Sequence, residues 1–118
     1  HPGRDALTGA ALILEALGVS GKPLSELAAE LPKTMILKDQ VHLNGMPSSD
    51  WVAQALNQVS EGDVDTTDGV KVILDDGWYH ARLSNTEPIC RIMAEAMSEA
   101  VAQEYLGRAR KLANSLGG

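Results

Sequence analysis

At 118 residues, 44% apolar and 22% charged, the chain has the size of about one domain and the composition of an ordinary globular protein. These values exclude a disordered tail, a collagen-like repeat and a disulfide-dense scaffold. The formal net charge of −6 counts against nonspecific nucleic-acid binding, which depends on neutralising many phosphates with Lys and Arg. No apolar run approaches the roughly 20 residues that span a bilayer, so no membrane partner is expected. The length is also short for an enzyme that closes a cleft over two substrates, and favours a module. Four aromatic residues, Trp51, Trp78, Tyr79 and Tyr105, with no Phe, leave the core to Leu, Ile, Val, Met and Ala. The single cysteine, Cys90, can form neither an internal disulfide nor a four-ligand zinc site, and fits a reducing compartment. No signal peptide is expected.

The first element runs through Ala6, Leu7, Ala10, Ala11, Leu12, Ile13, Leu14 and Leu17, a helix that is apolar on nearly every face and calls for cover on all sides. Gly18 and Gly21-Lys22-Pro23 end it, and Ser25 to Leu31 reads as a short second helix stopped by Pro32. A domain boundary is expected near Leu31 to Lys33. Thr34 to Leu43 reads as a strand, followed by an Asn44-Gly45 turn. Pro47, Ser48, Ser49 and Asp50 supply capping chemistry for a helix carrying Trp51, Val52, Ala55, Leu56 and Val59 on one face. Short apolar runs at Val64, Val70 to Leu74 and Trp78 to Leu83, separated by Asp68-Gly69 and Asp75-Asp76-Gly77, predict a small antiparallel meander. Pro88 to Met97 is ambiguous: its Ala, Met and Glu content favours helix, but Cys90, Ile92, Ala94 and Ala96 alternate as a half-buried strand would. From Ser98 onward, Val101, Tyr105, Ala109, Leu112 and Leu116 form one stripe of a terminal amphipathic helix with Arg108, Arg110 and Lys111 in its second half and Gly117 beyond.

The stretch that carries chemistry is Arg82-Leu83-Ser84-Asn85-Thr86-Glu87-Pro88, with Arg91 just beyond. A strand delivers Arg82. Ser84, Asn85 and Thr86 then offer two hydroxyls, a carboxamide and several backbone N–H groups in a loop stiffened by Pro88. Guanidinium groups pair with phosphate through parallel hydrogen bonds, and converging loop N–H groups make an anion-binding concavity. The same residue types also serve as ordinary turn formers and caps.

Asp68-Gly69-Val70-Lys71-Val72, Asp76-Gly77-Trp78 and the Arg82 to Pro88 run together resemble the C-terminal domain of the alpha-D-phosphohexomutases, in particular the phosphomannomutase/phosphoglucomutase branch. The last domain of that family carries a phosphate-binding loop of pattern R-x-S-N-T-E-P or R-x-S-G-T-E-P, and every letter is present here. The likeness covers about residues 33 to 116, while His1 to Asp5 and the apolar helix after it look like the tail of the preceding, third domain. The resemblance implies residues 1–32 as the end of that domain and 33–118 as the C-terminal phosphate-binding domain. It implies an α+β fold of the TATA-binding-protein-like kind: an antiparallel sheet with helices on one face, in the order β-α-β-β-β-α, with Ile89 to Ala96 as a strand. Likeness to a DNA-binding fold carries no implication of DNA binding.

The family's activity is the interconversion of hexose 6-phosphate and hexose 1-phosphate through a phosphoserine and a bisphosphorylated sugar intermediate. By resemblance, Arg82, Ser84, Asn85 and Thr86 grip the substrate's nonreacting phosphate, with Arg91 as a further candidate; Glu87 and Pro88 shape the loop. The catalytic serine, the aspartate-rich loop that holds magnesium and the sugar-reading loop belong to upstream domains, so the chain is expected to be an inactive fragment with no catalytic residue or metal ligand of its own. The implied partners are a phosphorylated hexose, an activator of the glucose 1,6-bisphosphate type and the upstream domains, in a cytoplasmic enzyme. Asn85 leans towards the phosphomannomutase/phosphoglucomutase branch over the phosphoglucosamine branch. The other reading is a freestanding noncatalytic module whose sheet or terminal helix binds a protein.

The remaining candidates read as structural. Asp63, Asp65 and Asp68 miss the ligand spacing of a calcium loop. His1, His42 and His80 have no metal-ligand spacing, although His80 shares a strand face with Arg82. Cys90 is expected to be an inert buried thiol, and Trp51 and Trp78 core anchors.

Overall fold

The computed structural model describes residues 5–45 and 48–115. The expectations placed on His1 to Arg4, on Pro47 as part of a helix cap, and on Leu116 and Gly117 at the end of the last helix lie outside the described residues. The chain divides into two compact units, residues 1–32 and 33–118.

The first unit holds α1 (Ala6–Ser20) and α2 (Leu24–Ala29). Asp5 caps α1, its carboxylate accepting from the Thr8 N–H at 3.0 Å, and this bond lowers its pKa. Gly21, at φ 64°, turns the chain out of the helix while its N–H donates to the Leu17 carbonyl. No residue of α1 is buried: Leu7 is 85% exposed and Leu14 68%. The all-round apolar helix read from the sequence is therefore present, with its apolar faces open. The second helix begins at Leu24 and ends two residues short of the expected Leu31.

The second unit is a five-stranded, wholly antiparallel sheet in the order β1-β5-β4-β3-β2, with β1 at Met35–His42, β2 at Asp63–Asp65, β3 at Val70–Leu74, β4 at Gly77–Leu83 and β5 at Ile89–Ala96. The α+β class holds, and the expected order gains one strand: β2 is a three-residue edge bearing Asp63 and Asp65, short and charged as exposed sheet edges commonly are. Two helices complete the unit, α3 (Trp51–Leu56) and α4 (Glu99–Asn114). The first is shorter than the periodicity to Val59 suggests, and Asp50 stands at its N-cap without a side-chain cap bond. Ser98 caps α4, its hydroxyl accepting from the Val101 N–H.

Tertiary pairing settles the ambiguous segment. β5 lies between β1 and β4 and packs beneath α4, so both of its edges are hydrogen-bonded and its helix-forming Ala, Met and Glu are overridden. Its even-numbered residues, Cys90, Ile92, Ala94 and Ala96, are buried against Ala102, Tyr105, Ala109, Leu112 and Ala113 of α4. Alanines on both sides let helix and sheet approach closely, which is how so aromatic-poor a chain fills its core. Val70 and Val72 of β3, Tyr79 and Ala81 of β4, Val41 of β1 and Ala55 of α3 complete the cluster. Both helices thus lie on one face. Polar contacts fasten α4 at its margins: Tyr105 donates to Asp76, Arg108 pairs with Glu61 and Glu104, and Arg110 pairs with Asp39. The bond to Asp76 and burial push the Tyr105 hydroxyl up to about 12.

Ile92 is among the largest wholly buried side chains, and Ile92→Ala is expected to destabilise the folded unit by about 2–5 kcal/mol, read from urea unfolding. Burial pushes the Cys90 thiol up to about 11. It therefore stays protonated at pH 8, and a thiol–disulfide reagent is expected to label it only after denaturation. Rapid labelling of the native chain would contradict this packing.

Candidate functional site

The alternation that buries one face of the sheet under α3 and α4 commits the next residues to the other face. The register there reads Gln40, Arg91 and Arg82 across β1, β5 and β4 in one row, and Lys38, Met93, His80 and Lys71 across four strands in the row beside it. Arg82 and Arg91 are direct cross-strand partners. Like charges placed opposite each other destabilise a sheet, so this position favours a neutralising anion. A cleft of about 470 Å³ runs beside Arg91, with Lys38, Gln40 and Met93 among its walls.

The loop at 84–88 closes the β4–β5 hairpin directly beyond this arginine pair. The Ser84 N–H donates to the Ile89 carbonyl at 2.9 Å, the Ile89 N–H to the Glu87 carbonyl at 2.7 Å, and the Leu43 N–H to the Pro88 carbonyl at 2.8 Å. The last bond ties the loop to the end of β1. Ser84 is buried at the base, where its hydroxyl accepts a long 3.5 Å bond from the Thr86 N–H, while Asn85 and Thr86 are exposed at the tip. The loop is thus held by its own backbone and presents polar groups outward. Arg82, Ser84, Asn85, Thr86 and Arg91 are brought to one end of one hairpin. Such a set of two guanidinium groups, two hydroxyls, a carboxamide and loop N–H groups can hold a tetrahedral oxyanion.

Asp68 joins the site although the sequence reading placed it in a turn. Its Oδ2 accepts from Arg82 Nη1 at 2.7 Å, and its backbone carbonyl lies 2.6 Å from His80 Nε2. A carbonyl can only accept, so His80 carries its proton on Nε2. The signal is the Asp68-Gly69 pair. Gly69 has φ 92°, and a Cβ there would sit 2.4 Å from the Ala81 carbonyl oxygen and 3.1 Å from the Arg82 Cα. Only glycine lets the turn press against β4 at this point.

Trp78 corrects an expectation. Tyr79 faces the core, so period-two alternation puts Trp78 on the helix-free face. There its Nε1–H donates to Glu95 Oε2 at 3.0 Å and Lys71 Nζ lies 4.3 Å from the ring centroid. Trp51 does pack against the core. Hydrogen bonds from the Thr67 side chain and, at 2.8 Å, from the Thr67 N–H lower the pKa of Asp65. Among the described residues no group of three or more His, Cys, Asp or Glu is placed to hold a metal ion, and no helix is long and apolar enough to cross a membrane.

Fold and site together define a small α+β domain with a cationic hairpin on its open sheet face. Residues 24–112 match the family model described as phosphoglucomutase/phosphomannomutase, C-terminal domain. The chain belongs to that family and carries its C-terminal domain. It is 45% identical over 111 residues to a phosphoglucomutase/phosphomannomutase of Thermococcus kodakarensis, covering 93% of this chain and 24% of the relative. It is 38% identical over 112 residues to a phosphoglucosamine/phosphogalactosamine mutase of Sulfurisphaera tokodaii, covering 92% and 25%. A crystal structure of a phosphoglucomutase/phosphomannomutase family protein from Burkholderia thailandensis superposes with a TM-score of 0.65 at 29% identity, over 97% of this chain and 25% of that one. The chain therefore spans about a quarter of the length of these relatives.

Gly69→Ala is expected to destabilise the domain by at least about 1 kcal/mol, because the new Cβ meets the β4 backbone and the positive φ is strained. Denaturant unfolding checks this, and an unchanged midpoint would contradict the close approach.

Proposed function

We propose that residues 33–118 form the substrate-phosphate clamp of a phosphohexomutase, the enzyme class that interconverts hexose 6-phosphate and hexose 1-phosphate through a phosphoserine and a bisphosphorylated sugar. One observation carries this reading: Arg82 and Arg91 stand opposite each other at the base of the Ser84-Asn85-Thr86 loop, on the face of the sheet left open by both helices of the unit. In this reading the guanidinium groups take the phosphate that does not react, and Ser84, Asn85 and Thr86 close over its remaining oxygens. Holding that remote phosphate fixes the sugar in line with the phosphoserine, so binding energy far from the reacting oxygen lowers the barrier to transfer. A clamp that reads only phosphate accepts either end of the sugar. The bisphosphorylated intermediate can therefore reverse its orientation and present its other phosphate to the serine while this loop keeps the same role.

The serine, the magnesium site and the sugar-reading loop are assigned to other domains of a longer, cytoplasmic polypeptide. Magnesium would assist transfer at the phosphoserine, and no step of the clamp passes through it. Residues 1–32 are assigned to the end of the preceding domain, whose body would cover the open apolar faces of α1.

In the full-length mutase, Arg82→Ala is expected to lower kcat/KM for glucose 1-phosphate by about two orders of magnitude, the size expected for losing a charge-assisted bidentate contact of up to about 3 kcal/mol. Arg91→Ala is expected to cost about tenfold, since one of two cations remains. Unchanged efficiency in the Arg82 variant would refute the clamp.

A further inference from the structure

The proposed clamp leaves one charged side chain at its edge without a role. The Asp68 carboxylate accepts from Arg82 Nη1 at 2.7 Å, yet the pair is open to solvent, with 41% of the Arg82 side chain and 64% of the Asp68 side chain exposed. An ion pair of that exposure does little for folding. The placement of Asp68 does not depend on the pair, however. Its carbonyl takes a bond from His80 Nε2 at 2.6 Å, and Gly69 presses the turn onto the β4 backbone beside Ala81 and Arg82. The Asp68 backbone is thus fixed beside Arg82, and its carboxylate meets one nitrogen of a planar, five-donor fork. Engaging Nη1 fixes the plane of the guanidinium and leaves Nε and Nη2 for an anion that accepts two parallel bonds. The negative charge also offsets the repulsion between Arg82 and Arg91 while no anion is bound.

We propose that Asp68 is the positioning residue of the clamp, holding Arg82 in the orientation that receives the nonreacting phosphate of the sugar. The proposal rests on the reading of Arg82 as a phosphate ligand. It makes Asp68 an ally of the bound phosphate, although both are anions that share one guanidinium.

A double-mutant cycle in the full-length mutase, turning over glucose 1-phosphate, separates the possibilities. Asp68→Ala is expected to lower kcat/KM about fivefold, the upper range for an exposed pair, chiefly through KM, with kcat held within about twofold. Asp68→Asn, which keeps an oxygen acceptor for Nη1, is expected to recover part of the loss. In an Arg82→Ala background, Asp68→Ala is expected to add nothing, because the residue acts through Arg82. A lower KM for Asp68→Ala would overturn the proposal by showing that the carboxylate competes with phosphate. Equal losses with and without Arg82 would overturn it in favour of a purely structural role, and unchanged kinetics would overturn it outright. An Arg82→Ala enzyme of unchanged efficiency would instead remove the clamp reading beneath it, and this proposal with it.

Discussion

The antiparallel pairing of β4 with β5 sets Arg82 directly opposite Arg91, and the arrangement at this end of the domain follows from that forced meeting of like charges. The same register that buries Cys90, Ile92, Ala94 and Ala96 under α4 obliges Arg91, Met93 and Glu95 to face the other way. A one-residue slip of β5 would drive Arg91 into the core and Cys90, Ile92, Ala94 and Ala96 away from it, so the hydrophobic contact with α4 also fixes the position of that charge. Core and site are two faces of one decision about register.

Charge distribution sharpens the point. The chain carries a net charge of −6, yet Lys38, Lys71, Arg82 and Arg91 share one face of the sheet in two adjacent rows. On the opposite side, Arg108 and Arg110 of α4 are paired with Glu61, Glu104 and Asp39. The overall balance opposes a long polyanion, while the open face offers local cations to a single small one. Asp68 pairs with one of those cations.

Contiguity decided what could be read from the sequence. The Arg82 to Pro88 run is one unbroken stretch, so its resemblance is visible without the fold, and the stripe of α4 is plain from Val101, Tyr105, Ala109 and Leu112. Ile89 to Ala96 was undecidable from the residues alone, because local propensity and period-two alternation disagree there; pairing on both edges resolves it, as the family resemblance had implied. β2 shows in the sequence only as the single apolar Val64, which the predicted meander includes and the strand order implied by the resemblance leaves out. Arg91 was suggested by adjacency, but its place opposite Arg82 depends on register. Asp68 shows in the sequence as half of an Asp-Gly turn, but its pairing with Arg82 does not: the two lie 14 residues apart, and only the approach of Gly69 to β4 joins them. Trp78 departs from expectation for a simpler reason: large apolar residues are expected inside, and alternation with Tyr79 turns it outward.

In the proposed reading this hairpin holds the phosphate of a sugar. A crystal structure of the full-length mutase with glucose 6-phosphate bound tests it most directly. One phosphate is expected at the hairpin end, within hydrogen-bond distance (about 2.7–3.2 Å) of the Arg82 guanidinium and of the Ser84 or Thr86 hydroxyl. A fully occupied sugar phosphate lodged away from the 84–86 loop, with neither Arg82 nor Arg91 in contact, would contradict it.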